Sequence, residues 1–394
     1  MQYQFSDKIS TLQPSAIREI LKFTADPEVI PFAAGNPAPE AFPSQLIADI
    51  TADILSTQPI AALQYSVTEG YPPLREMLKS MLKDRYSIGR EFDDLITVSG
   101  AQQGIELACK VLCNEGDVII CERPTFIGTL NSFKSYNARL IGIDVQGSGI
   151  DLDKMEQTLQ QNKVRLIYVI PNFQNPSGRT MDLATRKGIY ALAKKYGAMI
   201  LEDNPYGDLR FAGEDIPSIK SFDEDGIVIY CGSFSKVLAP GLRVGYVCAP
   251  APVVQKIVVA KQAADVHTTI LSQMICAQFL TRINFDDHIA RLREIYRKKC
   301  TLMLDCMDAG FQGKVTYTRP EGGLFLWCTL PDGADMMGFC SASVQRKVAV
   351  VPGSAFMPSS DDHTVSFRMN YSTPTDDQIV KGIEILSKLI AEKF

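Results

Sequence analysis

Continuous apolar segments alternate with amphipathic segments through the middle of the chain, and this alternation restricts the possible folds most. The apolar runs include LITV, DVIICE, VRLIYVIP, AMILED and GIVIYC, and helical patterns such as AQQGIELACKVLC and DLATRKGIYALAKKYG separate them. Strands that are apolar on both faces, joined by amphipathic helices, indicate a mostly parallel sheet covered by helices. The sequence therefore predicts an α/β fold.

The sequence pattern changes near residue 285. FDDHIARLREIYRKKCTLMLDCMD is predicted to form one long amphipathic helix with an acidic first turn, and GGLFLWCTL, KVAVVPG and TVSFRMNYS are predicted strands of a smaller α+β domain. Because 394 residues are many for one domain, we predict a large domain over residues 41–285 and a small domain over 286–394. The segment 1–40 precedes the first α/β unit, and we expect it to pack with the small domain.

Charge and cysteine content exclude several classes of protein. The chain has 40 Lys and Arg against 45 Asp and Glu, a net charge of −5, so no general affinity for nucleic acid is expected. No apolar run approaches the roughly 20 residues of a membrane span, and MQYQFSDKIS does not resemble a signal peptide. The 10 cysteines form no CxxC pair and only three histidines accompany them, which favours buried thiols in a cytoplasmic protein over a metal site.

Polar residues gather where the predicted strands end, the edge at which open α/β sheets bind ligands. In ITVSGAQQGIEL a strand ends at Ser99 and a helix begins near Ala101. A helix start offers unpaired N–H groups and a positive dipole end, which suit a phosphate. Gly100 and Ala101 allow an anion to approach closely, and Gln102 adds a side-chain donor. Taken alone, the motif favours an ordinary strand-to-helix turn with a serine cap.

Two further strand ends bring a carboxylate and an amide to the same edge. AMILEDNPYGDL ends a strand with Glu202 and Asp203. A carboxylate there can cap a helix or bind the turn; buried, it can instead pair with the nitrogen of a heterocycle and keep that nitrogen protonated. IPNFQNPSGRT ends a third strand with turn-forming residues, among which Asn175 supplies an amide.

The segment CGSFSKVLAPGLRVGY places Lys236 in a turn after the apolar strand IVIYC. An isolated lysine is usually a solvated surface charge. Here Ser233 and Ser235 precede the lysine and Arg243 follows it, a set that suits a dianion. A desolvated lysine near cationic groups loses its proton and becomes a nucleophile. An anion site, an acid for a ring nitrogen and an amine for an aldehyde together indicate pyridoxal 5′-phosphate, bound covalently by Lys236.

The segment SFSKVLAPGLRVGY also resembles the pyridoxal-lysine motif of the class I/II aminotransferases of fold type I, and NPSG, EDNPY and FRMNYS occur in that family's order. The resemblance covers nearly the whole chain. PSAIREILK, PFAAGNPAPEAFP, LQYSVTEGYPPLRE and KQAADVHT are similar to the subgroup of 2-aminoadipate and broad-specificity aminotransferases. The resemblance implies a large domain with a mostly parallel sheet between helices and a smaller α+β domain.

The resemblance also implies roles for matching residues around the cofactor. Lys236 corresponds to the lysine bound to the cofactor, and Asp203 to the acid on its pyridine nitrogen. Asn175 and Tyr206 correspond to partners of the ring 3′-oxygen. The phosphate-binding positions correspond to Gly100, Ala101, Gln102, Ser233, Ser235 and Arg243. Phe126 falls where the family stacks an aromatic ring on the cofactor; many relatives have tyrosine there, and the phenylalanine keeps stacking without the hydroxyl.

Tyr65 corresponds to a tyrosine that reaches the phosphate of the neighbouring subunit, which implies a homodimer. For the substrate, alternation in TVSFRMNYS puts Arg368 on one face of a strand. A solvated face alone would explain it, whereas the resemblance makes Arg368 the bidentate partner of the α-carboxylate, with Asn175 and the backbone of Gly35 beside it. Arg18, predicted in the first turn of a helix, corresponds to a residue that recognises the distal carboxylate of 2-oxoglutarate or glutamate.

Together these residues predict an aminotransferase that moves the amino group of an L-amino acid to 2-oxoglutarate by a ping-pong mechanism. Another enzyme on the same cofactor, such as a β-lyase or decarboxylase, is the nearest alternative. An aminotransferase-like transcriptional regulator is a second one, which the acidic composition and the short segment before PSAIREIL disfavour. A non-catalytic α/β binding protein is a third. The donor stays open among aminoadipate, aromatic, branched-chain, kynurenine and methionine-type amino acids.

Overall fold

The computed structural model describes residues 3–10 and 26–394. Its strands are β1 (Asp93–Val98), β2 (Val118–Arg123), β3 (Arg139–Gln146), β4 (Gly149–Ile150), β5 (Val164–Val169), β6 (Met199–Asp203), β7 (Val228–Ser233), β8 (Gly245–Pro250), β9 (Thr316–Tyr317), β10 (Phe325–Thr329), β11 (Val351–Pro352) and β12 (Ser366–Asn370). The α-helices of these residues span Asp7–Ser10, Ser44–Thr57, Pro59–Leu63, Pro72–Tyr86, Ala101–Leu112, Ile127–Ser135, Leu152–Gln161, Leu183–Tyr196, Ala251–Gln262, Ile270–Arg282, Phe285–Gly310, Met336–Gln345 and Asp376–Lys393.

Strands β1 to β8 form one sheet in the order β1-β8-β7-β6-β5-β2-β3-β4. Strands β3, β2, β5, β6 and β7 run parallel. In contrast, β8 is antiparallel to both of its neighbours and β4 is antiparallel to β3. The central strands are buried on both faces, as fully buried Leu166 and Ile167 in β5 and Ile200 and Leu201 in β6 illustrate. The predicted α/β fold with a mostly parallel sheet is confirmed.

The long helix predicted near residue 285 is confirmed as Phe285–Gly310. The side chain of Asn284 caps it by accepting hydrogen bonds from the backbone N–H groups of Asp286 and Asp287. The strands that follow form an antiparallel sheet in the order β11-β12-β10-β9. KVAVVPG contributes only two residues to this sheet, because the residues before them pair elsewhere.

Residues 29–33 pair with that C-terminal region. The backbone N–H of Ile30 donates to the carbonyl of Lys347 at 2.8 Å, and that of Ala349 donates back to Ile30 at 3.0 Å. Asn370 in β12 donates its backbone N–H to the carbonyl of Phe32 at 2.8 Å. These bonds bring the chain near Phe32 alongside β12, where it borders the candidate site. The domain limits themselves stay a prediction.

Two further observations concern the classes of protein that the composition excludes. Among the helices of the described residues, none combines the length and apolar character needed to cross a membrane. All 10 cysteines are unpaired, and every one except Cys113 and Cys306 is buried. Over residues 3–10 and 26–394, no group of His, Cys, Asp and Glu side chains is arranged to hold a metal ion.

Candidate active site

A cavity of about 320 Å³ lies beyond the carboxyl ends of β5, β6 and β7. It is the place where parallel strands deliver their C-terminal residues, as expected for an open α/β sheet. Most of the predicted site residues line it together: Gly35, Ala101, Gln102, Phe126, Asn175, Asp203, Tyr206, Ser233, Ser235, Lys236, Arg243 and Arg368. The fold therefore gathers residues that are far apart in the chain.

One end of this cavity is built for an anion. Gly100 has φ +80°, and a Cβ on it would lie 2.2 Å from Nη2 of Arg243, so the turn after β1 closely approaches this guanidinium. Nη2 of Arg243 donates to the carbonyl of Ser99 at 3.2 Å. The hydroxyl of Ser233 donates to that of Ser235 at 2.9 Å on the facing turn. A guanidinium, two hydroxyls and the start of the helix Ala101–Leu112 thus border one space.

The sequence predicted that the side chain of Gln102 donates to an anion, but in the structure this side chain is bound elsewhere. Its Nε2 donates to the carbonyl of Gly128 at 3.0 Å and to the hydroxyl of Ser132 at 2.6 Å. The carboxamide therefore joins two helices, and the backbone N–H of Gln102 is the donor it has for an anion. Phe126 immediately precedes the helix Ile127–Ser135, and its ring lies on the cavity wall.

Asp203 ends β6 and is only 3% exposed. Its Oδ2 accepts a hydrogen bond from the hydroxyl of Tyr168 at 2.8 Å, whereas its Oδ1 has no hydrogen-bond partner among the described residues. Burial raises the pKa of Asp203 to about 7, and the bond from Tyr168 opposes that rise. One oxygen is thus held in place, and the other is available to a ligand in the cavity.

Sequence reasoning missed Tyr168 and Thr129. The hydroxyl of Thr129 donates to that of Tyr168 at 3.0 Å, so a chain of two hydroxyls ends on Asp203. In VRLIYVIP the tyrosine fits the apolar pattern of a buried strand, so the pattern does not mark it as a polar residue of the site. The available signal was that a fully buried phenol needs a hydrogen-bond partner, but the pattern does not say which one.

Lys236 follows β7, and its half-buried Nζ donates to the carbonyl of Gly35 at 2.6 Å. Loss of water around the amine lowers the pKa of Lys236 to about 8, and the positive charges of Arg368 and Arg243 lower it further in the same direction. A substantial fraction of this lysine is therefore neutral just above neutral pH. A neutral amine at that position can attack an aldehyde or accept a proton.

Arg368 lies in β12, every residue of which is buried, so the solvated-face interpretation is wrong for this strand. Its Nη1 donates to Oδ1 of Asn175 at 2.9 Å and its Nη2 donates to the carbonyl of Ala33 at 2.9 Å. Its Nε is buried without a partner among the described residues. The guanidinium lies 4.3 Å from the centre of the Phe325 ring. Burial lowers the pKa of Arg368 to about 10, which leaves it charged at neutral pH.

Tyr206 is buried beside the same arginine, with its ring edge-on to Phe325 at 5.8 Å between centroids. Burial raises the pKa of its phenol, and the carboxylate of Asp203 adds to that rise. The phenol therefore stays protonated and can donate a hydrogen bond into the cavity.

Two predicted residues lie apart from this cavity. Tyr65 is 81% exposed, and its ring meets that of His267 at 5.9 Å between centroids. Arg18, and with it the predicted helix start, lies outside the described residues. Within one chain, the structure therefore brings together all of the predicted cofactor-binding residues except Tyr65, with Gly100 in the turn next to the wall.

The residues present fit pyridoxal 5′-phosphate. Oδ1 of Asp203 is a buried acceptor in need of a donor, which a protonated ring nitrogen provides. The anion end near Gly100 and Arg243 suits a phosphate, and the amine of Lys236 has a pKa low enough to react with an aldehyde. Nε of Arg368 is a further buried donor without a partner among the described residues, and a guanidinium donor of this kind matches a carboxylate.

Comparison with known proteins agrees with this chemistry. A family model described as aminotransferase class I and II matches residues 27–386. Aromatic-amino-acid aminotransferase 1 of Thermococcus litoralis is 39% identical over 395 residues, which cover 99% of this chain and 94% of that protein.

Two solved structures are also similar over their full lengths. The kynurenine aminotransferase of Pyrococcus horikoshii, in complex with PMP, has a TM-score of 0.95 and 36% identity and covers 99% of this chain and 97% of its own. The α-aminoadipate aminotransferase of Thermus thermophilus, complexed with N-(5′-phosphopyridoxyl)-L-leucine, has a TM-score of 0.91 and 35% identity and covers 98% and 97% of the two chains.

Proposed function

This chain belongs to the class I and II aminotransferases, which use pyridoxal 5′-phosphate, and on that premise we propose that it moves the amino group of several kinds of L-amino acid to 2-oxoglutarate. The observation that carries the proposal is one cavity lined by Lys236, Asp203 and Arg368. The names of similar proteins include aromatic, kynurenine and α-aminoadipate aminotransferases, and we propose these donor classes for this enzyme.

We assign each reacting group a task from its surroundings. When bound, the cofactor supplies an aldehyde and an electron-withdrawing ring that stabilises charge at the substrate α-carbon. Lys236 would hold the cofactor covalently, and its Nζ, when free, would be the base that accepts the substrate α-proton and returns it. Asp203 holds a negative charge against the ring nitrogen, and Tyr168 fixes the orientation of that carboxylate.

Arg368 binds the substrate α-carboxylate. Asn175 and the carbonyl of Ala33 fix the two terminal nitrogens, and the donor without a partner is Nε. The rings of Phe325 and Phe356 lie 4.3 and 5.0 Å from the guanidinium and keep water away from it. Arg368 fixes the carboxylate of the substrate, and the amine of the substrate lies next to Lys236. The α-proton between them is therefore held near the base.

We also propose that the enzyme is a homodimer that lends Tyr65 to the partner's phosphate end. Ile60, Leu63 and Tyr65 are 76, 73 and 81% exposed, and Val67 beside them is half exposed. Large apolar side chains clustered on a surface are typical of a protein interface. A cytoplasmic location agrees with 10 unpaired cysteines, since disulfides are rare in that compartment.

The experiment is a panel of amino donors with 2-oxoglutarate, in which glutamate and the matching 2-oxo acid are quantified together. We expect equal amounts of both products and parallel double-reciprocal plots, which indicate two half-reactions. A β-lyase or decarboxylase would instead release its product without the acceptor. If no donor yields glutamate from enzyme that carries the cofactor, 2-oxoglutarate is not the acceptor.

In the same assay Arg18→Ala is expected to raise the KM for 2-oxoglutarate, because the proposed partner of its distal carboxylate is lost. An unchanged KM would remove Arg18 from the proposal.

A further inference from the structure

A second cavity, of about 470 Å³, lies on the other side of the chain segment that follows β6. Asn204, Gly207 and Asp208 line this cavity, whereas Asp203 and Tyr206 line the catalytic cavity. The two cavities share this segment as a wall, but no described residue lines both. A ligand in the second cavity would therefore lie next to the catalytic residues without contacting the reacting atoms.

Arg210 is the first reason to regard this cavity as a binding site. It is 5% exposed; its Nη1 donates to Oε2 of Glu321 at 2.7 Å, and the ring of Phe173 lies 4.8 Å from the guanidinium carbon. Nη2 has no hydrogen-bond partner among the described residues. The neighbouring Nε lies 3.4 Å from Oδ1 of Asp215, an exposed residue that lines the cavity. Nε and Nη2 form one edge of the guanidinium, so the donor without a partner shares an edge with the nitrogen next to Asp215.

Arg293 supplies a second guanidinium from a different element, the helix Phe285–Gly310. Its Nε donates to the carbonyl of Asp208 at 2.7 Å. Its Nη1 and Nη2 make no hydrogen bond or ion pair with any residue in the described part of the chain. Two arginines from distant parts of the sequence thus present under-used donors to one cavity.

The charge of the cavity wall also favours an anion. Arg85 lines the cavity with Arg210 and Arg293, against the carboxylates of Asp208 and Asp215. The carboxyl of Asp208 is occupied by the hydroxyl of Tyr86, and burial raises its pKa, which weakens its negative charge. Arg85 pairs with Asp286 at 2.6 Å and Arg210 with Glu321 at 2.7 Å. Arg293 is therefore the guanidinium of this wall that has no ion-pair partner among the described residues, and its charge is available to an anion.

We propose that this second cavity binds a small oxyanion, a phosphate or a carboxylate, with Arg210 and Arg293 as its cationic contacts. The planar fork of a guanidinium matches the paired oxygens of both groups. The ligand satisfies the buried Nη2 of Arg210 and links the segment after β6 to the helix Phe285–Gly310. Since it does not reach the catalytic cavity, it is not the substrate of the reaction proposed above.

The test uses the cofactor-loaded enzyme, so that the phosphate end of the catalytic cavity is already filled. Inorganic phosphate is titrated in one calorimetric experiment and acetate in another, which distinguishes a phosphate ligand from a carboxylate ligand. We expect saturable binding of at least one probe. Arg293→Gln is expected to weaken that binding at least about tenfold, and Arg293→Lys, which keeps the charge without the fork, to weaken it less.

Arg297→Gln is the matched control, because it removes the same charge from the same helix at a residue that pairs with Glu294 and does not line the cavity. We expect it to bind the probe like the wild type, and all variants to remain folded at the temperature of the titration. The proposal is overturned if the wild type binds neither probe saturably. It is equally overturned if both Arg293 variants bind the probe as tightly as the Arg297→Gln control.

Discussion

At the residue scale, the catalytic cavity depends on burial acting on three ionisable groups. Burial lowers the pKa of Lys236 to about 8 and that of Arg368 to about 10, and raises that of Asp203 to about 7. Each shift means that the charged form is disfavoured until a partner arrives. On the proposed assignment, the cofactor and the substrate carboxylate are those partners, so binding them would relieve a cost that the apoprotein already carries.

Asp203→Asn tests this point in the apoenzyme. A carboxyl whose pKa rises from 3.8 to about 7 on folding contributes stability that is complete below about pH 4 and is lost as the pH rises to 7. The wild type should therefore lose stability relative to Asp203→Asn over this interval, by up to about 4 kcal/mol. Urea denaturation of both apoproteins between pH 4.5 and 7.5, about the range of the titration, measures the difference.

With the cofactor loaded, the wild type should instead be the more stable protein near neutral pH. The ring nitrogen then pairs with the carboxylate of Asp203, whereas the amide of the variant offers no negative charge. Asp305→Asn, at an exposed position on the helix Phe285–Gly310, controls for the loss of one negative charge. A difference between wild type and Asp203→Asn that is constant with pH would show that Asp203 is not a buried group with a raised pKa.

The sequence predicted those residues that follow an apolar strand and stand beside turn formers, such as Lys236 and Asp203. It did not predict Tyr168, since the partner of its hydroxyl lies 35 residues further on. The carbonyl of Ala33 that orients Arg368 is 335 residues away in the chain. Contacts of this length leave no periodic signal, and only the folded chain reveals them.

At the scale of elements, the turn between β1 and the helix Ala101–Leu112 forms the anion end. Gly100→Ala would place a Cβ 2.2 Å from Nη2 of Arg243 and displace this guanidinium. We expect cofactor affinity to fall at least about tenfold, because the phosphate loses a contact and the helix start shifts. A titration of the apoenzyme with pyridoxal 5′-phosphate, followed by absorbance, measures the affinity.

Gly116→Ala is the control for this substitution. Gly116 has φ +81°, nearly the same as the +80° of Gly100, but open space surrounds its would-be Cβ. Both substitutions carry the backbone cost of about 1–2 kcal/mol for a left-handed residue with a side chain. Equal cofactor affinities in the two variants would mean that the turn at Gly100 has no special role.

The sequence predicted which segments form strands or helices better than it predicted the direction of each strand. Strands buried on both faces read as continuous apolar runs whichever way they point, so the antiparallel direction of β8 was not predictable. KVAVVPG was predicted as a strand, but Val348 forms a bridge with Ile30, and only Val351 and Pro352 pair with β12. The strand is short because the segment around Ile30 pairs with its first residues.

At the scale of the whole molecule, the proposed exchange of Tyr65 between subunits predicts complementation. Lys236→Ala lacks the reacting amine, and Tyr65→Ala lacks the residue offered to the partner. In a hybrid dimer, the subunit with an intact Lys236 receives Tyr65 from the other subunit. Mixed, refolded or co-expressed variants should therefore be more active than either variant alone, as measured by glutamate production. Activity no higher than that of Tyr65→Ala alone would place Tyr65 outside the partner's site.

One measurement tests the central claim most directly: reduction of the cofactor-loaded enzyme with borohydride, followed by peptide mass spectrometry. We expect the phosphopyridoxyl mass on Lys236, with irreversible loss of the visible absorbance, and no such modification in Lys236→Ala. A modification on a different lysine, or an active enzyme whose residue 236 stays unmodified after reduction, would contradict the assignment of the catalytic cavity.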